Sequence, residues 1–401
     1  MTAVDLDTLL RRGVAEIIVE SALREKLAAG RRLRLKEGFD PSKPHLHVGH
    51  AATLRKLRQF QELGHQVILI VGDWTAQIGD PSGRDETRTV MSREEVLENA
   101  ETYMRQFFHI VDRSRTEVRW QSEWFGQFTL ADVFKLTSHF TFAQMMAHET
   151  FRNRVEQGRP LTLMELLYPL LQAYDSVAIQ ADVEFGGTDQ KFNILAGREM
   201  QPIFGQPPQD VFLVPLLPGT DGRKMSKSFG NTIDLEDPPG EMYGKTMSLA
   251  DEVLIDYLTC LTDIPAQELA EMEQAMREGT MNPRDAKMRL ARELVTQFHG
   301  PEAAREAEAE FVRVFQQRDL PTDMPTFALT APLNVVELLV AAGLAPSRNE
   351  ARRLIAQGGV RLDDRRVESA DLLVPARPAV LRVGRRRFLR LVGNLNPPAS
   401  E

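Results

Sequence analysis

The stretch Leu33-Arg34-Leu35-Lys36-Glu37-Gly38-Phe39-Asp40-Pro41-Ser42 opens the pattern that decides the fold. Residues 33–38 read as a short strand running into a Gly/Pro/Ser turn. A helix is predicted over 48–63, with Leu54, Leu57 and Leu63 near helical spacing, and Gly64 stops it. Val67-Ile68-Leu69-Ile70-Val71 is then an apolar run suited to a parallel strand buried on both faces. Strand, helix and strand within about forty residues make a βαβ unit. The expected class is therefore α/β, a Rossmann-like doubly wound parallel sheet.

Working outward, 95–160 has helical character and reads as an insertion between the two halves of the sheet. A helix over 162–180 and strands at 183–185 and 211–217 supply the second half. The sheet domain is expected over 1–232, with a turn-bounded loop at 221–231. Residues 233–325 are rich in Glu, Ala, Met and Arg and read as a helical domain. Pro321, Pro325 and Pro332 punctuate a linker placed at 326–332, followed by a small α+β domain over 333–401. There Ser347-Arg348-Asn349-Glu350 is a capping box opening a short helix. Gly358-Gly359 ends it, and Val360-Arg361-Leu362 alternates into a turn at Asp363-Asp364.

Composition narrows the class. At 401 residues two or three domains are expected. A single Cys260 excludes an internal disulfide or a cysteine-rich zinc site. No apolar run reaches bilayer-crossing length, and Met1-Thr2-Ala3-Val4-Asp5 resembles no secretory leader, so a cytoplasmic protein with no membrane partner is expected. The net charge of −8 hides an asymmetry: residues 333–393 hold 12 Arg, no Lys and 6 acidic residues, a local +6, which leaves −14 elsewhere. An acidic body with a basic tail suggests that the tail meets a polyanion. Arg348, Arg352 and Arg353 on the short helix are the candidates, since arginine suits bidentate phosphate contact.

Two distant motifs carry the chemistry. His47-Val48-Gly49-His50 falls at the predicted start of the 48–63 helix, where unpaired amides and the helix dipole favour phosphate. Gly49 lets a nucleotide approach the backbone. Lys224-Met225-Ser226-Lys227-Ser228 lies between the turn pairs Asp221-Gly222 and Gly230-Asn231, so Lys224 and Lys227 can close on a pyrophosphate as its charge grows. Together they point to transfer of the adenylyl group of ATP. A competing reading takes His45-Leu46-His47 as the metal pair of a hydrolase. A third polar set lies on the 162–180 helix, where Tyr168, Gln172 and Asp175 share a face amid leucines and need a partner if buried. Pro169 should kink that helix or mark its true start.

HVGH and KMSKS resemble the two signatures of class I aminoacyl-tRNA synthetases. Tyr168-Pro169-Leu170-Leu171-Gln172-Ala173-Tyr174-Asp175, Gly186-Gly187-Thr188-Asp189-Gln190 and Gly79-Asp80-Pro81-Ser82-Gly83 resemble the bacterial type of tyrosyl-tRNA synthetase, over nearly the whole chain. The resemblance implies an α-helical anticodon-region domain and a C-terminal alpha-L RNA-binding motif. It implies that His47, His50, Lys224 and Lys227 assist catalysis. Gly38, Asp40, Ser42, Gly49, Thr53, Arg84, Arg88, Asp189, Met225, Ser226 and Ser228 would face ATP. Asp80, Tyr168, Gln172 and Gln190 would hold the amino acid, and Asp175 would accept its phenol hydrogen bond. ATP is then a substrate, magnesium is expected with it and no protein metal site is implied; tyrosine, tRNA(Tyr) and a second copy of the chain are the other partners. One departure matters: Lys36 and Glu37 stand where many bacterial members place tyrosine and cysteine. Either another group, from the insertion, joins Asp175, or the side-chain preference is looser. The rivals are a tryptophanyl-tRNA synthetase and a non-catalytic synthetase-derived RNA-binding protein.

Overall fold

The structure, a computed structural model, describes residues 5–42, 45–82, 91–225, 229–316, 324–363, 365–384 and 387–393. The chain forms two compact units, residues 1–304 and 305–401. The first is built on six strands: β1 Glu16–Ile18, β2 Arg34–Phe39, β3 Gln66–Val71, β4 Thr116–Trp120, β5 Val183–Gly187 and β6 Asp210–Val214. Their order is β1-β6-β5-β2-β3-β4, with β2 to β6 parallel and β1 antiparallel on the edge. The chain steps from β2 outward to β3 and β4, then crosses back to β5 and β6. Strand order therefore reverses beside β2, and ligands of such sheets bind beyond the carboxyl ends of the strands at that reversal.

The expected apolar strand is fully interior: Val67, Ile68 and Leu69 have no exposed surface. Each such side chain contributes about 1.5–3 kcal/mol relative to an exposed one. The helix Val48–Glu62 buries Val48, Ala51, Leu54, Leu57 and Phe60. Phe60 meets Phe185 and Phe212 edge-on, at 5.4 and 5.7 Å between ring centres, which fixes the helix over β5 and β6. On Leu163–Ile179, Leu170, Ala173 and Val177 pack with Ala196 and Met200 of the helix Lys191–Ile203.

Three expectations are corrected. The stretch 95–160 holds helices Arg93–Phe107, Leu130–Thr137 and Glu149–Glu156, but also β4, which pairs with β3. Pro169 lies inside the helix Leu163–Ile179; the true start is Thr162, whose hydroxyl accepts from Glu165 N (3.2 Å) while Glu165 returns a carboxylate to Thr162 N (2.9 Å). The segment 326–332 carries a strand, β7 Thr326–Leu329, rather than a linker, because its backbone pairs with the last strand of the second unit.

That second unit continues with β8 Leu333–Asn334, β9 Val360–Leu362, β10 Arg365–Arg366, β11 Leu373–Val374, β12 Ala379–Val383 and β13 Arg387–Gly393. Five of them form the sheet β10-β9-β12-β13-β7, and β11 pairs with β8. Helices Val335–Ala341 and Arg348–Ala356 pack Leu338, Leu339 and Ile355 against Leu381 and Leu391. Among the described residues no helix is long and apolar enough to cross a membrane.

Candidate active site

A cleft of about 400 Å³ opens beyond the carboxyl ends of β2, β3, β5 and β6, a size suited to a small organic ligand. Its walls bring together Gly38, Asp40 and Ser42 after β2, and His47, Gly49, His50 and Thr53 at the helix that follows. Asp80, Tyr168, Gln172, Asp175, Asp189, Gln190, Lys224 and Met225 complete the set from the rest of the first unit. Arg84, Arg88, Ser226, Lys227 and Ser228 lie outside the described residues. Arg348, Arg352 and Arg353 belong to the second unit, on the helix Arg348–Ala356.

The first motif pairs through backbone with residues 233–235, just past the second motif. Val48 N donates to Ile233 O (2.9 Å), Leu235 N donates to Leu46 O (3.0 Å), and His47 bridges Asp234. A Cβ on Gly49 would stand 3.0 Å from the His47 ring and 3.6 Å from Met225 Sδ. The missing side chain leaves room for the His47 ring against the helix start, and Met225 lies within ordinary contact of the same position. His47 N donates to His50 Nδ1 at 3.2 Å, so a neutral His50 keeps its proton on Nε2 as a donor. The imidazoles lie 4.0 Å apart, at the end of the helix where amides and dipole favour an anion. His45, the other imidazole of the HxH pair, sits 3.7 Å from Glu236. On the opposite wall, burial and the nearby Asp80 push the Asp189 carboxyl upward, against the pull of Lys224.

Asp175 occupies the other end, completely buried. Gln121 Nε2 donates to its Oδ2 (2.9 Å) and Trp124 Nε1 to its Oδ1 (3.1 Å). Burial raises Asp175 to about 7, although Lys36 and these two donors favour the anion. Both donors, Gln121 and Trp124, come from within 95–160, just after β4.

Hydrogen bonds link this end to the loop after β2. Gln121 Oε1 accepts from Trp74 N (3.2 Å) and Thr75 N (2.9 Å), Thr75 Oγ1 donates to Asp40 Oδ1 (2.6 Å), and Tyr168 OH donates to Asp40 Oδ2 (2.8 Å). Asp80, which lines the same cleft as Tyr168, accepts from Gln190 Nε2 at 2.7 Å. Gln172 Nε2 donates to Glu184 Oε1 at 3.1 Å.

Beneath the cleft Lys36 is a buried cation whose three protons are all used. Its Nζ donates to Ser176 Oγ (2.8 Å), Gln172 O (2.9 Å) and Glu184 Oε1 (2.9 Å). Sequence reasoning flagged Lys36 as a departure but missed Glu184, Thr75 and Gln121. It also missed what Glu37 does: it lines the cleft with Oε2 unpartnered among the described residues, and burial pushes its carboxyl well above the ordinary range.

Comparison with known proteins adds the rest. Residues 28–316 match the family model of tRNA synthetases class I (W and Y), and 316–388 match that of the tyrosine–tRNA ligase SYY-like C-terminal domain. The chain is 52% identical over 390 residues to the tyrosine–tRNA ligase of Dehalococcoides mccartyi (strain CBDB1), covering 96% of this chain and 98% of that one. It is 51% identical over 395 residues to that of Thermotoga maritima, covering 98% of each. Among solved structures, a tyrosyl-tRNA synthetase from Archaeoglobus fulgidus complexed with L-tyrosine superposes with TM-score 0.62 at 24% identity, over 75% of this chain and 97% of that one. A C-terminally truncated mitochondrial tyrosyl-tRNA synthetase from Aspergillus nidulans gives 0.64 at 22% identity, over 77% and 93%. At those identities the structures establish the shared fold. With sheet, paired motifs and near-complete coverage in agreement, this chain belongs to the class I tRNA synthetases of the tryptophan and tyrosine group.

Proposed function

We propose that the protein is a tyrosine–tRNA ligase, which joins tyrosine to ATP as tyrosyl-adenylate and passes the tyrosyl group to the 3′ end of tRNA(Tyr). The observation that carries this is one cleft lined by His47, Gly49 and His50 of the first motif, by Lys224 and Met225 of the second, and by the buried Asp175. The tyrosine carboxylate attacks the α-phosphorus, pyrophosphate leaves, and a terminal ribose hydroxyl of tRNA then takes the acyl group. Neither step needs a protein nucleophile, so acceleration comes from positioning and from contacts that strengthen as charge develops. His47, His50, Lys224 and Lys227 make those contacts. Gly38, Asp40, Ser42, Gly49, Thr53, Asp189 and Met225 line the nucleotide path, and Arg84, Arg88, Ser226 and Ser228 are assigned to ATP by the family motifs alone. Asp80, Tyr168, Gln172 and Gln190 hold the amino-acid backbone, and Asp175 takes the phenol proton in a hydrogen bond. Magnesium enters with ATP as part of that substrate.

The C-terminal unit acts as an alpha-L-type RNA-binding module through Arg348, Arg352 and Arg353, of which Arg348 and Arg353 stand 66% and 61% exposed. The chain works as a homodimer in the cytoplasm. Leu130, Phe134, Phe142 and Leu163, each between 64% and 82% exposed, give it an apolar surface suited to a second copy. Pyrophosphate exchange with tyrosine, phenylalanine and tryptophan in turn tests the reading. Exchange with tyrosine is expected; exchange with tryptophan alone, or with none, would overturn it.

A further inference from the structure

We propose that Gln121 is the second reader of the phenol, a donor to its oxygen working beside the acceptor Asp175. The inference deepens the ligase reading and rests on it. Gln121 follows β4, is 1% exposed and lines the cleft next to Asp175. The direction of its carboxamide is set by the backbone: Oε1 accepts from Trp74 N at 3.2 Å and Thr75 N at 2.9 Å, which only an oxygen can do. Nε2 must therefore be the atom facing Asp175, and it has two protons. One goes to Asp175 Oδ2 at 2.9 Å. The other has no acceptor among the described residues, and a buried donor left that way costs free energy until something meets it.

A phenol oxygen meets it. The hydroxyl of tyrosine gives its proton to Asp175 and still has lone pairs; the spare proton of Gln121 Nε2, held against the same carboxylate, is aimed at one of them. Lys36, two residues before Gly38, offers no such group, because its three protons are spent beneath the floor on Ser176, Gln172 and Glu184. Trp124 is different. Its single indole proton is used on Asp175 Oδ1 at 3.1 Å, so it positions the carboxylate and has nothing left for a substrate.

The test compares tyrosine with 4-aminophenylalanine, which keeps a para donor but offers a far poorer acceptor, in pyrophosphate exchange. Gln121→Met should lower kcat/KM for tyrosine about 3- to 10-fold while changing it for 4-aminophenylalanine by no more than about twofold, so that discrimination narrows. Trp124→Phe should lower both by a common factor. If Gln121→Met also lowers both alike, Gln121 only holds Asp175 and the proposal is wrong. Should that variant fail to fold, Gln121→Leu, which also removes both donors and adds no charge beside Asp175, takes its place. The wild type supplies an arm that needs no variant: equal use of the two amino acids overturns the proposal. No tyrosine-dependent exchange at all in the wild type sinks the ligase reading itself, a result distinct from either variant outcome.

Discussion

At the deep end of the cleft Lys36 has no exposed surface and a partner for each of its protons; at the mouth Lys224 is exposed, on a segment that reaches the helix start through Met225 and Gly49. Both are lysines within one site, yet they do opposite work. The protons of Lys36 are satisfied before any ligand arrives, so they hold a fixed shape under the cleft. Charge at the mouth is left for a ligand that brings its own, and its contribution grows only as pyrophosphate separates. On the proposed function, selection of the amino acid and acceleration of the reaction would be divided along the length of a single cleft.

The sharpest way to break this contrast is to empty the deep end of its cation. Lys36→Met leaves Glu184 buried and ionised without its counter-charge, and should cost about 3–5 kcal/mol of stability by denaturant unfolding. A loss under about 1 kcal/mol would mean that the other donors around Glu184 hold it without Lys36. At the mouth, Lys224→Ala should lower the rate of adenylation about 100-fold with tyrosine affinity unchanged, measured by single-turnover kinetics and equilibrium dialysis. Weakened tyrosine binding with a normal rate would erase the division of labour. Asp175→Asn should reduce kcat/KM for tyrosine about 10- to 100-fold and leave phenylalanine nearly untouched, since it removes a charged hydrogen bond that only the phenol uses.

Proton titration gives a finer test. Asp175 sits at about 7, raised from the ordinary carboxylate range by burial. A folded-state value above the unfolded one means that its contribution to stability is full below about pH 4 and is lost as pH rises through 7. Phenol binding runs the other way, because the ionised carboxylate is the better acceptor. The groups facing it are Lys36 and Glu184 from β2 and β5, with Gln121 and Trp124 from beyond β4. Tyrosine should bind about tenfold more weakly at pH 6 than on the alkaline plateau, and Asp175→Asn should flatten the profile. The smallest effect is expected far from the cleft. Arg352→Ala should leave pyrophosphate exchange alone and reduce the salt slope of tRNA binding by about one unit.

The βαβ core was legible because its signal is periodic: leucines at helical spacing on 48–62, then five apolar residues that could only be a strand buried on both faces. Other strands carry no such signal. Thr116–Trp120 is half-buried at every position and polar at three of its five residues, so nothing marks it as part of the sheet until β3 pairs with it. Thr326–Leu329 sits between Pro325 and Pro332, and its partner lies sixty residues further on, a pairing that local chemistry cannot announce. The site divides in the same way. Histidines and lysines in short motifs declare themselves, whereas Gln121 is a common polar residue whose meaning is fixed entirely by the amides that hold one side of it. Lys36 was readable only as an anomaly, since a lysine in a strand does not reveal that an acid, a hydroxyl and a carbonyl wait for it in the core.

The chain of hydrogen bonds from Tyr168 through Asp40 and Thr75 to Gln121 and Asp175 has a consequence for how such a protein could change its substrate. Asp40, assigned to the nucleotide side in the proposed function, accepts a hydroxyl proton from Thr75, whose amide holds the carboxamide of Gln121 beside Asp175. A lineage or an engineer wishing to accept a different aromatic amino acid cannot retune the far wall alone. Altering it shifts the strut that steadies the ATP side, so compensating changes around Asp40 and Thr75 should accompany any successful switch.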